Sequence, residues 1–192
     1  LISLVNAMLD ASRLETGSIM QNKEKINPAD TLKDVLKEHR VLAEQGRINL
    51  TEDIQNVSGV LFADPKLFRM IPENLISNAL KYTPPGNTVT VRLSETAEVF
   101  GSTPSFPGCT IMVQDTGIGI PQAQQHRVFE KMFRADNARH AEAVGTGLGL
   151  YTIKIAVETL GGKIWFESIE NQGTTFYVFL PFTPESEYKI AS

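Results

Sequence analysis

Residues 60–93 read VLFADPKLFRMIPENLISNALKYTPPGNTVTVRL, and the order of signals inside this stretch decides the architecture. A short apolar run, Val60-Leu61-Phe62, is followed by Asp64-Pro65, a capping carboxylate with proline in the first turn, which opens a helix. The helix runs to about Tyr82. Thr83-Pro84-Pro85-Gly86-Asn87 ends it, since consecutive prolines and a glycine cannot continue a helix. Val89, Val91 and Leu93 then alternate as a strand.

Toward the N-terminus, the alternation at Ile48 and Leu50, together with Val60-Leu61-Phe62, predicts two strands joined as a hairpin. Before them, Leu32, Val35, Leu36, His39 and Leu42 share one face of a helix that Asn27-Pro28 would cap and Gly46 would stop. The polar run from Gly17 to Asn27 reads as a connector. Leu1, Leu4, Val5, Met8, Leu9 and Ala11 form an uncapped helical stripe, the end of a longer helix.

Toward the C-terminus, a loop from Gly101 to Gly108 leads to a strand, Thr110 to Gln114. A short helical stretch, Gln122 to Phe129, precedes a polar segment from Arg134 to Val144, whose weak periodicity predicts mobility. Gly147 to Leu160 reads as a helix stopped by Gly161-Gly162, followed by strands Lys163–Ser168 and Thr174–Leu180. Hairpin-like pairs outnumber single crossovers. The expected fold class is therefore α/β, a two-layer sandwich of mixed β-sheet with helices on one face and an N-terminal helical stub, rather than a doubly wound sheet.

Composition narrows the function. Of 192 residues, 42% are apolar and 14 more are glycine, the balance of a globular chain. No stretch approaches the roughly 18 unbroken apolar residues of a membrane span, and Leu1 to Asp10 lacks the basic flank of a secretory signal. The single Cys109 cannot form an internal disulfide or a cysteine-based metal cluster. Eighteen basic against 22 acidic residues, net −4, argue against nucleic acid or an anionic membrane as the main partner. An anionic ligand would need local devices to hold it.

Three constellations supply such devices. Asn74, Asn78, Lys81 and Tyr82, spaced i, i+4, i+7 and i+8, project from one side of a helix. Amide oxygens suit Mg²⁺, the ammonium suits phosphate and the ring can cover a base, although the same stripe would serve as a solvated helix face. Asp115-Thr116-Gly117-Ile118-Gly119-Ile120 follows an apolar strand, so a carboxylate at the strand end could accept from an exocyclic amine where glycines let the backbone approach a flat ligand. Gly145-Thr146-Gly147-Leu148-Gly149-Leu150 opens the last helix and can turn backbone N–H groups toward phosphate. A dinucleotide fingerprint does not fit, because the run is GxGxG after a polar stretch. A Walker loop does not fit either: Gly162-Lys163 is followed by Ile164, with Val157 in place of the first glycine.

Taken together, Asn74-Leu75-Ile76-Ser77-Asn78-Ala79-Leu80-Lys81-Tyr82-Thr83, Asp115 to Ile120, Phe129-Glu130-Lys131-Met132-Phe133-Arg134 and Gly145 to Leu150 closely resemble, in order, the asparagine, first glycine, phenylalanine and second glycine boxes of sensor histidine kinases. The resemblance covers essentially the whole chain: Leu9-Asp10-Ala11-Ser12-Arg13-Leu14-Glu15-Thr16-Gly17 resembles the end of a dimerisation helix. It implies residues 1–17 as the end of that helical hairpin, 18–27 as linker, 28–183 as the catalytic ATP-binding domain and 184–192 as tail.

The same resemblance implies a Bergerat-type site for ATP and Mg²⁺. Asn78 would coordinate Mg²⁺, with Asn74 supporting metal or phosphates, and Lys81 and Tyr82 would contact phosphate and nucleoside. Asp115 would bind the adenine amine, and Gly117, Gly119 and Ile120 would line the base pocket with Thr174 behind Asp115. Arg134 would reach the γ-phosphate, Gly145, Thr146, Gly147, Leu148 and Gly149 would form the triphosphate loop, and the segment from about Pro121 to Thr146 would be an ATP lid. Catalysis would rest on Asn78, Lys81 and Arg134.

The implied partners are a response-regulator receiver domain and a second copy joined through the dimerisation helices, in the cytoplasm. Two departures stand out. Pro72 lies inside the asparagine-box helix, where an interior proline costs about 3 kcal/mol. The phosphoacceptor histidine is expected upstream of Leu1, since His39, His126 and His140 lack its sequence context. Glu73, about 100° around the helix from Asn74, is assigned no catalytic role. A self-contained ATPase of the chaperone or topoisomerase type would need a glutamate four residues before Asn78, and that residue is Asn74.

Overall fold

Two proline-led caps set where the main helices begin. Helix α1 (Pro28–Gln45) starts after Asn27, whose side chain accepts from the Ala29 N–H, and α2 (Pro65–Tyr82) starts after Asp64, whose Oδ1 accepts from the Lys66 and Leu67 N–H groups. The structure is a computed structural model and describes residues 22–98, 106–141 and 145–184. Around these helices lie strands β1 (Glu24–Ile26), β2 (Asn49–Ile54), β3 (Leu61–Ala63), β4 (Thr88–Glu98), β5 (Phe106–Asp115), β6 (Lys163–Ile169) and β7 (Gly173–Pro181). A short 3₁₀ helix (Gln122–Arg127), α3 (Asp136–Ala141) and α4 (Gly149–Thr159) complete the order.

Five strands form one sheet in the order β2-β4-β5-β7-β6, with β2 parallel to β4 and the other pairs antiparallel. One face is apolar. Val89, Val91 and Leu93 of β4, Ile111 and Val113 of β5 and Val178 of β7 meet Leu32, Val35 and Leu36 of α1, Phe68, Ile71 and Leu75 of α2 and Ile153 and Val157 of α4 in one core. The other face is not covered by these helices: Arg92 pairs with Asp53 at 2.9 Å, and Trp165 stacks on Tyr177 with centroids 5.3 Å apart. This is the expected two-layer mixed sandwich. Among the described residues no helix is long and apolar enough to cross a membrane. The expected N-terminal helical stub, residues 1–17, and all but the first residue of the expected tail, 184–192, lie outside the described residues.

Several local expectations need correction. The strands expected as a hairpin within Ile48 to Ala63 do not pair with each other: β2 lies parallel to β4, and β3 pairs antiparallel with β1. A parallel neighbour requires a crossover of a dozen or more residues, and α2 supplies it. Strand alternation shows that a segment is extended and leaves its partner undefined. Glu24–Ile26, inside the stretch read as a connector, is a strand because Ile26 pairs with Leu61 and is buried with it. β5 begins at Phe106, within the stretch read as loop, and α4 begins at Gly149 rather than Gly147, whose φ of 69° is not helical. The polar segment after Arg134, read as having little apolar periodicity, contains α3.

Pro72 does not interrupt α2, which runs unbroken from Pro65 to Tyr82. The carbonyl of Phe68 loses its helical donor, but Pro72 is buried beside fully buried Phe68, Ile71 and Leu75, so packing offsets the backbone cost.

The α2 cap also ties the start of the described chain to the core, because Asp64 Oδ2 accepts from the Asn22 N–H at 3.0 Å. Asp64→Ala is expected to lower unfolding stability by about 1–2 kcal/mol, seen as a lower urea midpoint at unchanged slope. A wild-type midpoint would show that neither the cap nor the tie contributes.

Candidate functional site

The site begins with the asparagine stripe of α2, which faces away from the sheet centre toward the start of α4. Asn74 Nδ2 donates to the Met70 carbonyl at 2.9 Å, which turns its Oδ1 outward. A Cβ placed on Gly149 would lie 3.0 Å from that Oδ1 and 3.8 Å from Asn78 Nδ2, so only the bare glycine lets the two helices approach this closely. One helical turn on, a Cβ placed on Gly145 would lie 3.2 Å from Arg134 Cζ and 3.3 Å from Lys81 Nζ. Two cations from different elements thus converge on the second glycine loop. Arg134 is held there by bonds to the Ala138 carbonyl at 3.1 Å and the Gly145 carbonyl at 3.4 Å.

Asp115 closes the far end. It is the last residue of β5, and register places Thr174 of β7 directly beside it. Its Oδ1 accepts from the Gly117 N–H at 2.8 Å and the Thr174 N–H at 3.2 Å. Both bonds fall on one oxygen, leaving Oδ2 as the acceptor available to a ligand. Burial pushes this carboxyl up to about 6, against the opposing pull of the two backbone donors.

Between these ends runs a cleft of about 550 Å³. Asn74, Asn78, Lys81, Tyr82, Asp115, Gly119, Ile120, Arg134, Gly145, Thr146, Gly147, Leu148, Gly149 and Thr174 all line it. Gly117 does not. It is buried behind Asp115, where a Cβ would lie 2.3 Å from the Tyr82 carbonyl oxygen, and Ile118 lines the cleft in its place. Gly119, at φ 61°, needs to be glycine on two counts, since a Cβ would also lie 2.1 Å from the Ile169 carbonyl oxygen. Glu73 is not part of the lining: its carboxylate accepts from Arg69 Nε at 2.6 Å. His39 Nδ1 lies 2.9 Å from the Val35 carbonyl oxygen, and His126 is exposed on the 3₁₀ helix.

The segment after Pro121 covers one side of the cleft through specific ties. Gln125 Nε2 donates to the Ile120 and Ser168 carbonyls, both at 3.0 Å, and the Asp136 N–H donates to Gln124 Oε1 at 2.9 Å. Phe129 anchors the segment, edge-on to Phe166 and Phe176 at 5.8 and 6.5 Å. Arg127 lies over the Phe133 ring at 4.5 Å.

Sequence reasoning missed several lining residues. Met70 stands four residues before Asn74, so extending the helical stripe by one turn would have found it. Thr152, four residues after Leu148, carries the same one-turn signal, and Phe133 lies within the phenylalanine box; Val128, Asn137 and Phe176 carry no comparable signal, because loop closure and sheet register bring them in.

Chemically, the cleft offers a carboxylate acceptor at one end, amide groups in the middle and cations with backbone loops at the other. Among the described residues no three His, Cys, Asp or Glu side chains converge to hold a metal by themselves. A cation suited to this site would be a hard one that shares amide oxygens with a ligand's own oxygens.

Known proteins resemble this chain in sequence and fold. Residues 63–184 match the family described as histidine kinase-, DNA gyrase B-, and HSP90-like ATPase. Over 183 residues, 94% of the chain and 23% of the relative, it is 36% identical to the circadian input-output histidine kinase CikA of Synechococcus elongatus. It is 33% identical to the sensor histidine kinase WalK of Bacillus subtilis over 97% of the chain and 29% of that protein. The chain thus spans under a third of these relatives. Among solved structures, the mycobacterial sensor histidine kinase MprB superposes with TM-score 0.69 at 26% identity, covering 84% of this chain and 99% of that one. Full-length ShkA in complex with AMPPNP superposes at 0.76 with 24% identity, covering 95% and 36%, which supports the fold.

The environment of Asp115 makes ligand-free stability depend on pH. Its folded value of about 6 lies above the ordinary 3.8, so its contribution to stability is complete below about pH 4 and is lost as pH rises through 6. Asp115→Asn should therefore raise the ligand-free melting temperature at pH 8 while changing it little at pH 4. Equal shifts at both pH values would overturn this account.

Proposed function

This chain belongs to the histidine kinase-, DNA gyrase B-, and HSP90-like ATPase family, and we propose that it is the ATP-binding catalytic domain of a two-component sensor histidine kinase. Its reaction passes the γ-phosphoryl of MgATP to a histidine on a dimerisation helix of the parent protein, for relay to an aspartate on a response-regulator receiver domain. The parent acts as a homodimer through those helices, with this domain in the cytoplasm. One observation carries the reading: a single cleft joins Asp115 at one end to Lys81, Arg134 and Gly145 at the other, with Asn74 and Asn78 between them.

Each residue has a task in that reaction. Asp115 Oδ2 accepts from the adenine amine while its Oδ1 stays tied to the backbone, and Tyr82 and Ile120 flank the nucleoside. Lys81, Arg134 and the amides of the second glycine loop offset the charge that spreads over the transferring phosphoryl group. Asn78, supported by Asn74, offers the amide oxygen that would hold Mg²⁺, whose bound chemistry is to neutralise phosphate charge. Among the described residues no histidine or cysteine lines the cleft. That fits transfer to a histidine carried elsewhere, and it disfavours self-contained hydrolysis, because Asn74 occupies the position where a water-activating glutamate would stand.

Calorimetry should give a micromolar-to-millimolar MgATP dissociation constant, lost in Asp115→Ala. Absence of nucleotide binding by the wild type would overturn the proposal. With a dimerisation domain supplied in trans, phosphohistidine should form, and Lys81→Ala or Arg134→Ala should slow its formation by about a hundredfold or more. Rapid ATP hydrolysis by this chain alone would favour a gyrase- or chaperone-like activity instead. Affinity should also fall as pH drops below about 6, since protonation of Asp115 removes the acceptor for the adenine amine.

A further inference from the structure

Behind the acidic end of the cleft, the hairpin of β6 and β7 and the first glycine loop (residues 115–120) meet backbone to backbone. A Cβ placed on Gly173 would lie 2.0 Å from the Asp115 carbonyl oxygen, and the Asn171 N–H donates to the Ile118 carbonyl at 2.8 Å. Ser168 of β6 is the side chain at the centre of this contact. Its Oγ accepts from the Ile120 N–H at 2.8 Å, and it lies 3.1 Å from the Gly173 carbonyl oxygen and 2.9 Å from Thr174 Oγ1. Its carbonyl accepts from Gln125 Nε2 at 3.0 Å, and the same nitrogen donates to the Ile120 carbonyl. Both backbone polar groups of Ile120, which lines the cleft, are thus tied back to Ser168, one directly and one through Gln125.

One proton decides the direction of these bonds. A serine hydroxyl has a single O–H and two lone pairs. The Gly173 carbonyl can only accept, so it takes the Ser168 proton, and the Ser168 lone pairs receive the Ile120 N–H and the Thr174 O–H. The Thr174 proton is therefore committed to Ser168. A competing acceptor stands close by: Thr174 is opposite Asp115 in register, and cross-strand neighbours on one face have Cβ atoms about 5 Å apart. Hydrogen bonds to an ionised carboxylate are stronger than those between neutral groups, so a threonine hydroxyl released from Ser168 would turn to Asp115. Resting on the ATP reading above, we propose that Ser168 is a positioning residue for base recognition. It holds the Thr174 hydroxyl off Asp115 and keeps Ile120 in place, so that Asp115 Oδ2 stays available to the exocyclic amine of the nucleotide. Ser168 is not part of the cleft lining, and it acts through these two neighbours without touching the ligand.

The test is calorimetry of wild type, Ser168→Ala and Ser168→Thr with ATP and with purine riboside triphosphate, in which hydrogen replaces the exocyclic amine, each with Mg²⁺. The wild type should prefer ATP. Ser168→Ala should bind ATP about three- to tenfold more weakly and lose affinity for the analogue by a smaller factor, so that the preference shrinks. Ser168→Thr keeps the hydroxyl at a strand position that suits a β-branched residue, and should retain the preference. If Ser168→Ala does not fold, Ser168→Cys, close in size but only weakly hydrogen-bonding, serves in the same comparison. The proposal is overturned if the serine replacement leaves the preference for ATP unchanged, whether it weakens both nucleotides by one factor, as a purely structural tie would, or neither. A wild type that binds both nucleotides alike overturns the Asp115 contact and this proposal with it. A wild type that binds no nucleotide instead overturns the ATP reading itself.

Discussion

Asp115 Oδ1 receives two backbone N–H groups from parts of the chain that only the folded sheet brings together, and the site is built around that oxygen. Gly117 donates from the turn after β5 and Thr174 from the adjoining strand β7. A buried carboxylate is unfavourable unless such donors meet it, and here they fall on one oxygen and leave the other for a ligand. The turn at Gly117 presses against the Tyr82 carbonyl, and the Ile118 N–H donates to that carbonyl at 3.1 Å, so the end of α2 and the end of β5 are fixed to each other. The asparagine stripe and the acidic end of the cleft therefore share one frame.

The cationic end of the cleft has a different construction. Lys81 comes from a helix built into the core, whereas Arg134 comes from a segment held by side-chain bonds through Gln124, Gln125 and Asn137. One cation is thus positioned by a helix packed into the core and the other by a segment that adds polar ties to the packing of Phe129 against Phe166 and Phe176. Polar ties of this kind open at lower cost than a packed core. The rigid asparagine face and the more loosely held cover divide the work between holding and enclosing.

Much of this was readable before any coordinates. Helical spacing places Asn74, Asn78, Lys81 and Tyr82 together because 3.6 residues per turn is a property of the backbone alone, and the caps at Asn27 and Asp64 are local chemistry within three residues. Strand partners were not readable. The pairing of β2 with β4 and of β1 with β3 depends on where α2 returns the chain, and alternation in Ile48 to Ala63 is the same for a hairpin as for a crossover. Gly117 shows the limit within the site itself: its place in a glycine box is plain, yet only the close approach of Tyr82 puts it behind Asp115 rather than on the cleft wall.

The sequence by itself determined the two-layer α/β class, the boundaries of α1 and α2 and the four ordered boxes that place nucleotide chemistry on this chain, because each depends on interactions between residues close along the backbone. The tertiary structure alone decided which strands are neighbours, that Thr174 completes the seat of Asp115, and that Lys81 and Arg134 meet at Gly145. It also placed Asn137 against Gly119. These pairs stand well apart in sequence, and no local preference encodes a contact that exists only once the core has packed and fixed the distance between its elements.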